Sequence, residues 1–410
     1  MNPSITGTLR LPSRVHFGYG ARAQLPELLK LHGTRVLAVV DPFLPPTEHF
    51  RDLLAVLHGA GLEVSVYSDI AAELPAPSLD AAGSMARSLD PDVILAVGGG
   101  SALDAAKLIG LLATHGGPLS RYYGENAVPG PTIPVVAVPT TAGTGSEVTP
   151  VAVVSDPELT LKVGISSPFL IPQAAVVDPE FTLGAPAGVT AFAGIDALVH
   201  LVESFTAAPL DPDWSSTLPV FTGRNIFAET IALQGIAKLG TWLPLAVTEP
   251  GNRQAREEVA LGALLGGIGF GPTGTHLSHA LQYPIGALSK TPHGLGTGLL
   301  LPYVLDACMA DPGTVGRIAA IGAALGSAST VPEQQANDAI TRIVAINQAI
   351  GVPGSLAGIG ITKEQLPHIA EMGLASRRLV AIAPIPVTAE LLLNILTRAY
   401  DGALSNGRHS

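Results

Sequence analysis

The chain has 410 residues, is 47% hydrophobic and 13% charged, and carries a net charge of −11. That length allows two domains with large cores, and the acidic balance without any Lys/Arg run excludes a nucleic-acid-binding surface. No uninterrupted apolar run of membrane-spanning length occurs, the first residues lack an apolar signal core, and the single Cys308 excludes an intrachain disulfide framework. These features predict a cytoplasmic protein that does not enter a membrane, and the greasy composition predicts a homodimer or larger homo-oligomer.

The N-terminal half alternates apolar β-rich runs with helical patterns. RVLAVV at 35–40, EVSVY at 63–67 and VILAV at 93–97 read as strands, with helices at 50–60 and 78–89 between them. Continuous apolar strands separated by helices predict a parallel sheet covered on both faces. The third strand runs straight into Gly98, Gly99, Gly100 and Ser101, and a helix follows at 102–113. Glycines between a strand and a helix let backbone N–H groups approach a phosphate, and the helix N-terminus adds partial positive charge. This points to a pyrophosphate cradle rather than a plain tight turn.

Asp41 follows the first strand directly. Its spacing fits equally a carboxylate that bonds a ribose and a turn-initiating Asp before Pro42. A further strand at 135–138 leads into Pro139-Thr140-Thr141-Ala142-Gly143-Thr144-Gly145-Ser146-Glu147. That loop is rich in small hydroxyl residues, and on its own it reads as a Ser/Thr-rich surface loop as readily as a second donor loop.

GGGSALDAAK at 98–107 and PTTAGTGSEVT at 139–149 resemble the two signature loops of the iron-containing (group III) alcohol dehydrogenase family. The segment VHFGYGARAQLPELL at 15–29 is similar to the family's opening segment. The resemblance implies NAD at the mouth of the sheet. It implies cofactor contacts from Gly98, Gly99, Gly100, Ser101 and Asp104 in the first loop, and from Thr140, Thr141, Thr144 and Ser146 in the second. It assigns Lys162 a place near the cofactor, and an aspartate at position 41 implies NAD in preference to NADP.

After Asp178 the texture becomes helical, and we place the boundary near Gly184. The expected plan is an α/β dinucleotide-binding domain at 1–184 and an all-α metal- and substrate-binding domain at 185–410. Helices are predicted at 188–204, 224–239, 253–269, 275–283, 294–309, 312–325, 332–350, 363–373 and 388–400, with Gly269-Phe270-Gly271-Pro272 breaking the third from the fourth. Asp196 and His200 stand at i and i+4 on the first of these helices, one turn apart on a face that is otherwise apolar. A buried carboxylate needs a partner, so the pair either bond each other or jointly hold a cation.

The stretch 275–293 holds three of the eleven histidines. His279 lies on a helix and His293 on a turn fourteen residues later. With Asp196 and His200 they make one oxygen and three imidazoles, a set suited to Fe(II) or Zn(II). GIDALVHLVE and HALQYPIGALSKTPHG resemble the family's two metal motifs, and this resemblance implies that Asp196, His200, His279 and His293 are the ligands. His276 matches no family ligand and reads as a helix-face histidine. His16, His32, His49, His58, His115, His368 and His409 carry no spacing signal.

One departure concerns Tyr283. Many family members have a proton-relaying histidine four residues after the first of these two ligands, whereas this chain has Tyr283 before a proline, as in the hydroxyacid–oxoacid transhydrogenase branch. A tyrosine hydroxyl can exchange hydrogen bonds but is a poor base at neutral pH. Tyr283 therefore reads either as a catalytic hydrogen-bonding group beside His279 or as a packed ring. Phe270 reads either as a wall of the substrate site or as a helix-end core residue.

The resemblance implies hydride transfer, in the cleft between the two domains, between a small alcohol and its aldehyde or ketone, with NAD as acceptor. Alternatives are transhydrogenation with tightly held NAD, and a maleylacetate reductase-like reaction that the Asp196/His200 pair argues against. A dehydroquinate synthase-like lyase would need more basic residues, and a non-enzymatic NAD-binding protein leaves the four-ligand set without a purpose.

Overall fold

A computed structural model of the chain describes residues 6–71, 73–157 and 161–405. His409 lies outside these residues. The chain divides into two compact units, Arg10–Gly184 and a second that begins at Ala185 and takes in residues 6–9. The opening residues thus differ from the expected 1–184 grouping. The reason is specific: Asn225 Nδ2 donates to the Thr8 carbonyl at 2.8 Å, and Ile226 N–H donates to the Thr6 carbonyl at 3.1 Å.

The α/β unit contains strands β1 (Arg14–Phe17), β2 (Arg35–Val40), β3 (Glu63–Tyr67), β4 (Val93–Gly98), β5 (Gly124–Glu125), β6 (Val135–Pro139), β7 (Val151–Asp156), β8 (Leu161–Ser166) and β9 (Ala174–Val177). Its helices are α1 (Leu25–Lys30), α2 (Glu48–Gly59), α3 (Ala76–Leu89) and α4 (Gly100–His115). Six strands form one parallel sheet in the order β1-β9-β6-β4-β2-β3. Side chains alternate across this sheet. Leu37, Val39, Ile94, Ala96, Val135 and Ala137 enter the core shared with α3 and α4. Val36, Ala38, Val40, Val93, Leu95, Val97, Val136 and Val138 enter the other, with α1 and α2. Both faces are therefore buried, which is why the central strands have no polar period.

The sequence reading did not anticipate the second, three-stranded sheet, β5-β8-β7, whose hairpin β7–β8 is antiparallel. Its burial alternates weakly and its residues are mixed, so no strict apolar/polar period marks it in the sequence.

The helical unit contains α5 (Ala187–Thr206), α6 (Ile226–Thr248), α7 (Arg253–Thr273), α8 (Leu277–Ser289), α9 (His293–Cys308), α10 (Pro312–Ala324), α11 (Pro332–Ala349), α12 (Leu366–Ala375), α13 (Arg377–Ala381) and α14 (Ala389–Asp401). α5 lies at its centre, packed on α6, α7 and α9. Three predicted ends move. α6 passes the predicted stop with Pro244 inside it, α8 runs on through Pro284, and α7 runs through Gly269–Gly271 and Pro272 until Gly274, at φ 92°, ends it. Neighbouring helices hold these segments helical where the isolated residues would break. His293 is the first residue of α9 and not a turn residue.

α5 and α6 are each long and apolar enough, by length and composition alone, to cross a membrane, which the sequence reading did not expect. α5 is a buried core helix that carries Asp196, His200 and Glu203.

Glycines set the helix spacing. A Cβ on Gly294 would sit 1.9 Å from the Phe192 carbonyl, and one on Gly298 2.5 Å from Ile195 Cγ1, so α9 can lie against α5 only without those side chains. At the α10–α11 crossing, a Cβ on Gly322 would sit 1.9 Å from the Gln335 carbonyl oxygen, whereas Gly316 on the same helix has open space. Gly322→Ala should therefore destabilise the chain by about 1–3 kcal/mol. Gly316→Ala should stabilise it by about 0.5–1 kcal/mol. Denaturant midpoints of the two variants check the opposed signs.

Candidate functional site

In the α/β unit, β4 ends at Gly98 and α4 begins at Gly100, so Gly99 is the N-cap. The Gly99 N–H donates to Asp41 Oδ2 at 2.7 Å. A Cβ on Gly98 would lie 2.5 Å from that same oxygen, and one on Gly100 would lie 2.5 Å from Thr144 Cγ2. The end of β2, the β4–α4 loop and the loop after β6 thus close on one another with no room for side chains. Burial pushes the Asp41 carboxyl up, and the Gly99 N–H partly offsets this.

The second loop is tied down from beneath. Thr140 N–H donates to the Gly98 carbonyl at 2.9 Å, while Thr140 Oγ1 is buried with no hydrogen-bond partner among the described residues. Thr141 Oγ1 would be 3.4 Å from a Cβ on Gly99, and Thr144 Oγ1 accepts from Ser146 N–H. Ser146 Oγ donates to Asp104 Oδ1 at 2.5 Å, and Asp104 Oδ2 accepts from Val153 N–H at 2.9 Å. Asp104 and Ser146 are therefore engaged inside the protein, joining α4 to the second loop and to β7. Ser101 is exposed on the first turn of α4. Lys162, on β8, pairs with Glu73 at 2.7 Å.

The sequence reading missed Lys107 and Glu147. Lys107 is 1% exposed and donates to the carbonyls of Thr149 and Val151, each at 2.9 Å. Burial lowers its pKa to about 8, against the pull of Asp104 and Glu147. Burial raises Glu147 to about 7, and Lys107 only partly opposes the shift. The i, i+3 pair Asp104/Lys107 inside an apolar helix was the available signal.

In the helical unit, α5 turns Asp196, His200 and Glu203 to one face at i, i+4 and i+7. His279 comes from α8, and His293 from the first turn of α9. His200 Nε2 lies 3.6 Å from Asp196 Oδ2. His279 Nε2 and His293 Nε2 lie 3.9 and 3.8 Å from Asp196 Oδ1. These separations are too long for hydrogen bonds. They fit donors shared by one cation, because two ligands at about 2.1 Å from an ion are at most about 4.2 Å apart. Donor atoms of Asp196, His279 and His293 all fall within 4.8 Å of one another.

His279 gives the sharpest test of that fit. Its Nδ1 is 2.8 Å from Glu203 Oε2, and its Nε2 is buried with no hydrogen-bond partner among the described residues. A buried imidazole nitrogen left open toward a carboxylate and two more imidazoles is the donor arrangement of a divalent metal site. Thr297 Oγ1 donates to Asp196 Oδ1 at 2.7 Å and fixes that carboxylate. Burial pushes Asp196 up, but His200, His293 and His279 together hold it below its ordinary value.

The rings form a chain of contacts, stacked except between His279 and His293, which are tilted by 59°. Phe270 lies on His200 with centroids 4.2 Å apart, His200 is 5.0 Å from His279, and His279 is 5.3 Å from His293. Tyr283 stacks on His293 at 6.0 Å. Burial pushes the Tyr283 hydroxyl up, Arg378 opposes this, and Asp196 and Glu203 add to it. Arg378, on α13, is a residue the sequence reading missed. Its guanidinium lies 4.3 Å over the Phe221 ring.

His276 is not among the clustered donors. Its Nδ1 accepts from Leu277 N–H at 2.8 Å, and its Nε2 is 2.9 Å from Thr206 Oγ1, whose own hydroxyl donates to Val202 O. Burial lowers its pKa, against the pull of Glu203, and the residue is the N-cap of α8. Glu203, also missed, is fully buried and is held to about 2: burial raises it, but His276 and His279 outweigh that.

Comparisons with known proteins cover nearly the whole chain. A family model described as iron-containing alcohol dehydrogenase matches residues 12–179, and one described as the C-terminal part of the Fe-containing alcohol dehydrogenase family matches residues 190–400. Long-chain-alcohol dehydrogenase 1 of Geobacillus thermodenitrificans (strain NG80-2) is 33% identical over 402 residues, 96% of each chain. A mitochondrial hydroxyacid-oxoacid transhydrogenase of Caenorhabditis briggsae is 29% identical, over 96% of this chain and 89% of the relative. A solved 1,3-propanediol oxidoreductase structure superposes with a TM-score of 0.89 at 30% identity, over 96% of this chain and 100% of the other.

Glu147 makes a pH prediction with a definite sign. Its folded pKa, about 7, lies above its ordinary value. Its contribution to stability is complete below the unfolded carboxyl range and is lost as pH rises through about 7. Glu147→Gln should therefore raise stability over wild type more at about pH 8 than at about pH 5. Denaturant unfolding at the two pH values checks this.

Proposed function

The chain belongs to the iron-containing alcohol dehydrogenase family and is an oxidoreductase, and from that premise we propose that it interconverts a small alcohol and its aldehyde or ketone by hydride transfer with NAD. The observation that carries the reading is the unpartnered Nε2 of His279 beside Asp196, His200 and His293. We assign those four residues as ligands of Fe(II), with Zn(II) as the alternative. The ion supplies Lewis acidity, which favours loss of a substrate hydroxyl proton or polarises a carbonyl. NAD supplies the hydride acceptor.

The chain's own residues then have distinct tasks. Asp196 brings the one negative charge that offsets a divalent cation, and Thr297 keeps its oxygen aimed. Phe270 holds the His200 ring by stacking and offers an apolar wall to the substrate. Tyr283 keeps its proton at neutral pH, because burial raises its hydroxyl, and so acts as a hydrogen-bond donor rather than a base. Gly98, Gly99, Gly100, Ser101 and the N-terminus of α4 receive the pyrophosphate, with Thr140, Thr141 and Thr144 from the second loop. Asp104 and Ser146 hold that loop in register, and Lys162 lies on the adjoining sheet. Asp41 binds ribose hydroxyls and repels a 2′-phosphate. We also infer a homodimer or larger assembly, which light scattering on the purified protein would measure.

Transhydrogenation between a hydroxyacid and an oxoacid is the second reading. Tyr283, a proton-keeping group at the position of a relay histidine, favours it, as does the similarity to a transhydrogenase. Turnover with an oxoacid acceptor and no added NAD would establish it over the first.

Two experiments bear on these assignments. His279→Ala and His293→Ala should each abolish turnover and bring bound metal well below one ion per chain, while NAD binding survives. Unchanged metal content in both variants would remove the proposed site. Asp41→Gly should shift cofactor preference toward NADP, measured as the ratio of kcat/KM for the two cofactors; a wild-type enzyme that already prefers NADP would overturn the assignment of Asp41.

A further inference from the structure

Glu203 is the one carboxylate on the α5 face that the metal reading leaves without a task. It is fully buried, and both of its oxygens are occupied. Oε1 accepts from Ser278 N–H at 2.6 Å. Oε2 accepts from His276 N–H at 2.8 Å and lies 2.8 Å from His279 Nδ1. Both oxygens already accept hydrogen bonds, and Glu203 is not among the clustered donors Asp196, His279 and His293. A carboxylate has no hydrogen to give, so the proton in the last contact belongs to His279. We propose that Glu203 is a positioning residue that locks His279 in its Nδ1–H tautomer, so that Nε2 keeps its lone pair toward Asp196 for a divalent cation.

Two features make this more than a helix cap. The same carboxylate takes the N–H groups of the first turn of α8 and the imidazole of the third residue of that helix, so one group sets both the position of α8 and the orientation of the ring. The neighbouring imidazole is already committed: His276 accepts at Nδ1 and faces Thr206 at Nε2, and so cannot substitute for His279. Glu203 sits seven residues after Asp196 on one helix, so α5 supplies an oxygen ligand, a nitrogen ligand and the brace for a third ligand.

The inference rests on reading His279 as a metal ligand, and the test separates the two. Apo protein is titrated with Co(II) or Zn(II) against a chromophoric chelator, and the Co(II) absorption spectrum is recorded. Glu203→Gln, which replaces the anionic acceptor by a neutral amide, should weaken metal affinity by about 10–100-fold and change the Co(II) spectrum while the chain stays folded. Thr206→Val removes the contact to His276 but leaves the Glu203–His279 bond. It should lower the thermal midpoint and leave metal affinity unchanged. Wild-type affinity in Glu203→Gln would overturn the proposal, as would an equal loss in Thr206→Val. If Glu203→Gln does not fold, the tautomer is read by nitrogen NMR in the wild-type apo protein: Nδ1–H on His279 supports the proposal, and Nε2–H overturns it. Metal retained in His279→Ala would instead remove the ligand reading itself.

Discussion

The structure of the helical unit depends on two buried carboxylates on one apolar helix. α5 places Asp196 and Glu203 among Ala, Leu, Val and Ile, where an unpaired charge is not tolerated. Each is compensated by groups from elsewhere in the unit. Asp196 faces His200, His279, His293 and the Thr297 hydroxyl, and Glu203 faces two backbone N–H groups and His279. Removing one partner of a buried charge costs about 3–5 kcal/mol. The network therefore fixes how α5, α8 and α9 meet. The glycines of α9 follow from this: Gly294 and Gly298 bring its backbone close enough to α5 for His293 and Thr297 to reach Asp196.

The α/β unit meets a similar constraint differently. Its loops carry backbone donors and acceptors that a buried position leaves unsatisfied. Lys107 answers two of the carbonyls, Asp104 answers one N–H and one hydroxyl, and Asp41 answers the N–H of Gly99. The Lys107 and Asp104 ties lie beneath the loops, so the second loop and the first turn of α4 are held by groups that do not themselves need to face a ligand. A rigid cradle costs less ordering when an anion arrives.

Much of this was legible in the sequence. The apolar strands at 35–40 and 93–97, the glycine run between strand and helix, and the Asp196/His200 pair each carry a local signal that tertiary structure does not alter. The remainder was obscured for physical reasons. The Gly269–Pro272 segment reads as a breaker and two helices are predicted to stop at 239 and 283, yet packing from neighbouring helices keeps α6, α7 and α8 continuous through Pro244, Pro272 and Pro284. Glu203 fell on the same heptad face as Asp196, but a search for metal donors stops at the ligands and passes over the group that orients one. Arg378 lies ninety-five residues after Tyr283, and only the fold brings its charge to bear on that hydroxyl.

Tyr283 stands where the family resemblance implies a proton-relaying histidine in many members. Its ring stacks on His293 with centroids 6.0 Å apart, so the tyrosine packs within the cluster. The difference is in the proton. Burial pushes the phenol further from neutrality, so the group holds its hydrogen through the ordinary pH range. A site that orients substrate oxygen with a fixed donor stabilises developing negative charge on that oxygen, but it does not carry the proton away. Proton release then falls to solvent or to a second substrate. In the proposed reading, the fate of that proton is where net alcohol oxidation and hydride exchange between two bound partners part ways, and a proton-keeping Tyr283 favours the second.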